Sequence, residues 1–286
     1  MIVSLLVLTN QVYFYFLKQK IEMNILNIIS ELEKVDGDIH ERLAYTSRRS
    51  MFGTLGKTVA AIAIPSLLAA SVNKAYATTS GAIDVLNFAL TLEYLENEFY
   101  MMGVAKSGLI PAMDRPVFNQ ISKHEQQHVA FLLAALGAKA VAKPTFDFTA
   151  KGAFSDVFTN YKTFAIVSHA LEDTGVRAYK GQAGNLMAAE DKPLLEYALQ
   201  IHSVEARHAA VVRRLLNTNG FVPGAKAWIT GNMGNPVAVY AGEENMIQGG
   251  VDLKGLSGKS DAAITEAFDE PLTKDQVLAI ASGFIM

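Results

Sequence analysis

The chain has 286 residues, half of them apolar and 19% charged, with a formal net charge of −3 at pH 7. That is enough to bury a sizeable core, and the slightly negative balance excludes the basic footprint of a nucleic-acid binder. With no cysteine, disulfide frameworks, zinc–thiolate sites, iron–sulfur clusters and cysteine nucleophiles are excluded, so any metal must be held by Asp, Glu, His or backbone oxygen.

Residues 1–77 read as an N-terminal extension and export signal. The first 22 residues, MIVSLLVLTNQVYFYFLKQKIE, form an apolar patch interrupted by Thr9, Asn10 and Gln11, too short and broken for a membrane span. Met23 offers an alternative start. Arg48 and Arg49 then precede an apolar run from about Val59 to Val72, and the small residues Ala75 and Ala77 flank Tyr76. This order of charged, apolar and small residues resembles a twin-arginine export signal, although Met51 and Phe52 stand where that signal usually has Phe and Leu. A general secretory signal or an uncleaved anchor is the alternative. The apolar run falls short of the ~18 residues a spanning helix needs, which favours cleavage near Ala77. The expected location is the periplasm or cell envelope, with membrane contact only if the signal stays uncleaved.

Residues 78–220 carry helical periodicity. The first predicted helix begins near Ala82, sets Ile83, Leu86, Leu90, Tyr94 and Met101 at three-, four- and seven-residue steps, and ends at Gly108 and Pro111. RPVFNQISKHEQQHVAFLLAALG follows after a short link and stops at Gly137, so the two helices should be antiparallel neighbours. A longer connection, AKAVAKPTFDFTAKGAF, leads to Ser155 as N-cap of a third helix reaching about Met187. The fourth is expected from about Pro193 to Leu216, capped by Asp191 and closed by Gly220. Short, long and short links predict an all-α four-helix bundle with one long crossover. Residues 221–286 are rich in Gly and Asn and lack a sustained helical period, so they should wrap the bundle as loops or short strands. Trp228 is expected in a lid or oligomer contact, and a final short helix from about Thr273 to Ser282 follows Pro271.

The second and fourth helices share a motif. SKHEQQHVAFL places Glu125 three residues before His128, and HSVEARHAAVV places Glu205 three residues before His208. Upstream, LEYLENEFY supplies Glu93 with Tyr100 seven residues on, and LEDTGVRAY supplies Glu172 with Tyr179. The upstream acids precede the downstream ones by 32 and 33 residues, as expected of a duplicated helix pair. Residues three apart on a helix are rotated by about 60° and those seven apart by about 20°, so each set points one way. Four such helices can converge four carboxylates and two imidazoles in the core. Carboxylates buried without a cation would repel one another and lose hydration, and would either take up protons or bind metal. A thiolate-free set of carboxylates and imidazoles suits iron or manganese.

Glu125 and His128 could form a pair on a solvated face, and Arg207, Arg213 and Arg214 mark a wet side on the fourth helix. Glu96 could replace or join Glu93, whereas Glu98 is rotated towards solvent. His169, one turn before Glu172, could be an extra ligand or a partner of one. His124 and His202 are expected on polar faces or beside ligands, and Tyr100 and Tyr179 as core aromatics whose hydroxyls reach a ligand.

Glu93, Glu125, His128, Glu172, Glu205 and His208 together resemble the di-metal carboxylate set of the ferritin-like superfamily. LNFALTLEYLENEFY and AFDEPLTKDQVLAIASGFI are similar to an exported bacterial ferritin-like domain family related to desiccation-associated proteins. The resemblance covers about residues 82–286. It implies Glu93 and Glu172 as terminal ligands, Glu125 and Glu205 as bridges between two iron (or manganese) ions, and His128 and His208 as one further ligand on each. The resemblance implies that many such proteins have no assigned reaction; the leading reading of this chain is reaction with dioxygen or peroxide in an oxidase or peroxidase-like stress role. A non-catalytic envelope protein protective during drying, with structural metals, is the alternative, and iron storage a weaker one. A homodimer or small oligomer is the expected assembly.

Overall fold

The computed structural model describes residues 79–286 except Met233 and Asn235. The export signal, the alternative start at Met23 and the apolar run before Ala77 lie outside the described residues. No helix among the described residues is long and apolar enough to cross a membrane.

Four long helices form the bundle: α1 (Ser80–Ala105), α2 (Arg115–Leu136), α3 (Tyr161–Gln182) and α4 (Lys192–Thr218). Helix α1 packs along α2, and α3 along α4. Thr79 starts α1 by accepting a hydrogen bond from Ala82 N at 3.1 Å. Near its end Tyr100 and Gly103 face inward, and a Cβ on Gly103 would meet the Phe164 ring at 2.2 Å. Met101, expected on the apolar stripe, lies between those two inward positions and is 51% exposed. Pro116 in the first turn opens α2, and Gly137, with φ 56°, ends it.

The crossover, residues 137–160, is held by α1 and by its own buried side chains. Asn87 on α1 donates to Lys139 O at 3.0 Å and accepts from Val141 N at 2.8 Å, and Phe146, Phe148 and Val157 are buried beneath it. Ser155 is not the cap of α3. Asp147 accepts from Thr149 N at 2.9 Å and Lys151 N at 3.1 Å, which winds the chain into consecutive turns up to Asn160. Asn160 then caps the helix by accepting from Lys162 N at 3.0 Å. Helix α3 stops at Gln182 and a 3₁₀ turn, Ala183–Leu186, completes the segment expected to continue to Met187.

Asp191 stands at the N-cap of α4, but its side chain makes no capping hydrogen bond. Its carboxylate instead accepts from Thr79 N at 3.3 Å and Thr79 Oγ1 at 2.7 Å, tying the start of α4 to the start of α1. Helix α4 closes where Gly220 adopts φ 68° and Phe221 N reaches back to Leu216 O at 2.9 Å, a glycine-dependent helix end. Arg213, expected on the wet side, is buried and paired with Asp173 of α3, whereas Arg207 and Arg214 are exposed.

The C-terminal extension contains a 3₁₀ turn (Val237–Tyr240), a two-residue antiparallel pair of β1 (Ile247–Gln248) and β2 (Val251–Asp252), and the short helices α5 (Leu253–Ser257), α6 (Asp261–Thr265) and α7 (Lys274–Ala281). Thr273 and Gln276 form a capping box at the start of α7. Leu272 N donates to Arg177 O at 3.2 Å. At this crossing a Cβ on Gly181 would lie 1.9 Å from Leu272 O, so the extension meets α3 backbone to backbone. The fully buried Arg177 guanidinium donates to Glu270 O and Ala241 O, each at 2.7 Å, and to Val239 O, and its Nε lies 2.8 Å from Glu243 Oε1. Trp228 is half exposed, while its neighbour Ile229 packs with Val239, Tyr240 and Ala170.

Candidate metal centre

The six donors named from the sequence meet in the middle of the bundle. Glu93, Glu125, His128 and Glu205 form one group whose candidate ligand atoms all lie within 4.8 Å of one another, and Glu125, Glu172, Glu205 and His208 form a second on the same criterion. Glu125 and Glu205 belong to both. All four carboxylates are fully buried, and both imidazoles are more than nine-tenths buried.

The imidazole contacts show what the arrangement suits. His128 Nδ1 lies 3.2 Å from Glu93 Oε2, 3.1 Å from Glu125 Oε2 and 3.0 Å from Glu205 Oε1. His208 Nδ1 lies 3.0 Å from Glu125 Oε1, 3.2 Å from Glu172 Oε2 and 3.7 Å from Glu205 Oε2. A ring nitrogen carries at most one proton and cannot donate to three acceptors. Glu125 Oε1 and both oxygens of Glu205 are accordingly left without a hydrogen-bond partner. A cation removes the mismatch, because all these lone pairs can point at it at once. Ligand atoms about 2.0–2.2 Å from one ion stand ~3–3.5 Å apart, and most of the observed spacings fall in that range. Carboxylate oxygens and imidazole nitrogens fit a divalent transition metal.

Electrostatics show the same demand for positive charge. Burial pushes the Glu93 carboxyl up to about 8, past the opposing pull of His128. Burial likewise drives Glu172 well above the usual carboxylate range, against His208. Glu205 is the exception: burial works to raise it, but His128 and His208 together hold it below. Burial opposes charge on His208, yet Glu172, Glu125 and Glu205 push it up to about 12. Without a cation, the cluster would need protons on its imidazoles and acids to balance its charge.

Two tyrosines cross between the halves. Tyr179 on α3 donates to Glu93 Oε1 on α1 at 2.5 Å. Tyr100 on α1 donates to Glu172 on α3 and lies 2.7 Å from Ser168 Oγ. His124 is partly buried, with Nδ1 2.8 Å from His208 Nε2 and the two rings stacked 5.1 Å apart. Gln126 and Gln127 are exposed. Glu98 turns outward and pairs with Lys143.

His169 joins neither donor group. Its Nε2 lies 2.8 Å from Asp173 Oδ2, and the Tyr240 hydroxyl lies 2.7 Å from the same oxygen and 3.1 Å from His169 Nδ1. With Arg213, these residues form a second buried polar cluster under the extension. The sequence hint to it was Asp173, an acid beside Glu172 on a helix buried nearly all round. His202 is partly buried with Nε2 unpartnered and belongs to neither donor group.

Four helices with one long crossover, each half contributing a Glu and then a Glu-x-x-His, define a ferritin-like bundle whose core could hold metal ions. Residues 81–218 match the family model described as a ferritin-like domain. These residues run from the start of α1 to the end of α4, so the match spans the bundle and the extension lies beyond it. No curated protein matches the chain.

Proposed function

We propose that the bundle is a di-metal carboxylate protein, holding two iron ions or two manganese ions, that reacts with dioxygen or peroxide in an oxidase or peroxidase-like stress role. The observation that carries this reading is the sharing of Glu125 and Glu205 between the two donor groups, as expected of carboxylates that bridge a metal pair. Glu93 and His128 would complete one metal position, and Glu172 and His208 the other. A bound redox metal pair supplies the electrons for reduction of an oxygen species.

The chain's own residues bind, orient and exclude water. Buried helix faces keep bulk water from the carboxylates, which strengthens their hold on a cation. Tyr179 and Tyr100 fix one oxygen of each terminal carboxylate, while the other oxygen faces His128 or His208. A mostly apolar cavity of about 20 Å³, lined by Leu86, Ala89, Leu92, Tyr179 and Ala198, lies between α1, α3 and α4.

Arg48, Arg49 and the apolar run after them support export to the periplasm or cell envelope, and the helix wording supports kinship with the desiccation-associated relatives. The closed burial of the site also favours a second reading, in which the metals only brace the bundle of an envelope protein. Stopped-flow mixing of ferrous-loaded protein with dioxygen or peroxide separates the two. The proposed role predicts fast oxidation that Glu205→Ala abolishes. A structural role predicts no oxidation faster than free ferrous ion, with metal removal lowering only the melting temperature.

A further inference from the structure

The internal duplication makes one position conspicuous. Glu93 corresponds to Glu172 and Tyr100 to Tyr179, and on that register Glu96 of α1 corresponds to Gly175 of α3. The structure places these two together. Glu96 is 3% exposed, and a Cβ built on Gly175 would lie 3.1 Å from Glu96 Oε1 and 3.5 Å from Glu205 Oε2. The missing side chain on α3 therefore makes the room that the extra carboxylate on α1 fills, beside a Glu205 whose two oxygens have no hydrogen-bond partner. Its strongest electrostatic neighbours are carboxylates: Glu205, Glu172, Glu125 and Glu93. A carboxyl buried among four others must either stay protonated or share something positive with them.

We propose that Glu96 is a fifth carboxylate ligand of the metal pair, admitted by Gly175, and that it makes the two metal positions unequal. This rests on the di-metal reading above and adds that the centre is not symmetric between the duplicated halves. Four carboxylates neutralise two divalent ions, and the fifth adds an oxygen donor and a negative charge on one side. That side should hold its ion more tightly and favour a higher charge on it.

Cobalt(II) titration of the metal-free protein, followed by visible absorption and calorimetry, tests the assignment without reference to turnover. Wild type is expected to bind two ions in distinguishable steps. Glu96→Gln keeps the side-chain shape, and should weaken one step at least tenfold, change the cobalt absorption and bring the two steps together. Gly175→Ala crowds Glu96 from the other helix and should shift the same step in the same direction, which covers the case in which Glu96→Gln does not fold. Glu98→Gln, on the outward face, serves as the control and should leave both steps unchanged. Two ions bound by Glu96→Gln or Gly175→Ala with wild-type affinity and spectrum would overturn the proposal while leaving the di-metal reading intact. A wild type that binds no cobalt would overturn both.

Discussion

The Tyr179 hydroxyl donates to Glu93 Oε1 at 2.5 Å across the bundle. The equivalent hydroxyl, Tyr100, donates to Glu172 in the opposite direction. Each half of the duplication thus orients the terminal carboxylate of the other, and neither helix pair forms the centre alone.

Tyr179→Phe removes that donor and leaves a fully buried carboxylate oxygen without it. Leaving a buried acceptor unsatisfied costs about 1–3 kcal/mol. The metal-free variant is expected to melt several degrees lower, with Glu93 less well fixed and metal affinity reduced. Thermal unfolding with and without manganese checks both effects; an unchanged melting temperature and affinity would show that the hydroxyl does not position Glu93.

The extension meets α3 at Gly181, where a Cβ would lie 1.9 Å from Leu272 O. Backbone atoms cannot yield as a side-chain tip can. Gly181→Ala should destabilise the docked extension by about 1–3 kcal/mol. Limited proteolysis should then cleave beyond Gly220 faster than in wild type, while the bundle helices stay protected.

Glu243 makes the extension sensitive to pH. Burial pushes its carboxyl up to about 7, against the pull of Arg177, and its Oε2 has no hydrogen-bond partner. A folded-state value above the unfolded one means that the folded chain holds the proton more tightly. This contribution to stability is complete below about pH 4.5 and is lost as pH rises through 7. Glu243→Gln cannot titrate, so its urea midpoint should fall less than that of wild type between pH 5 and pH 8. A wild-type decline matched in full by the variant would assign the pH dependence to other groups.

Much of the bundle was legible because its signals are local. Helical periodicity, Gly137 and Gly220 at helix ends, and the paired Glu-x-x-His spacing all lie within a few turns of chain. The repeat made the donor set readable, since Glu93 and Glu172 stand at matched distances from their partners. Long-range pairings were not legible. Arg213 looked solvated because Asp173, its buried partner, lies 40 residues away, and Tyr240 reaches Asp173 from 67 residues downstream. Asp191 resembled a local cap, but its carboxylate holds Thr79, 112 residues earlier. Glu96 was a visible candidate, yet the space that receives it comes from a glycine on another helix.

Metal content per chain tests the central claim most directly. Protein expressed in iron- and manganese-replete medium, purified without chelator and measured by elemental analysis, should carry close to two ions per chain. Glu125→Ala and Glu205→Ala each remove a donor from both groups and should lose most of both ions while keeping the helical circular dichroism of the bundle. Wild-type protein without bound metal, or variants that retain the wild-type count, would contradict the account.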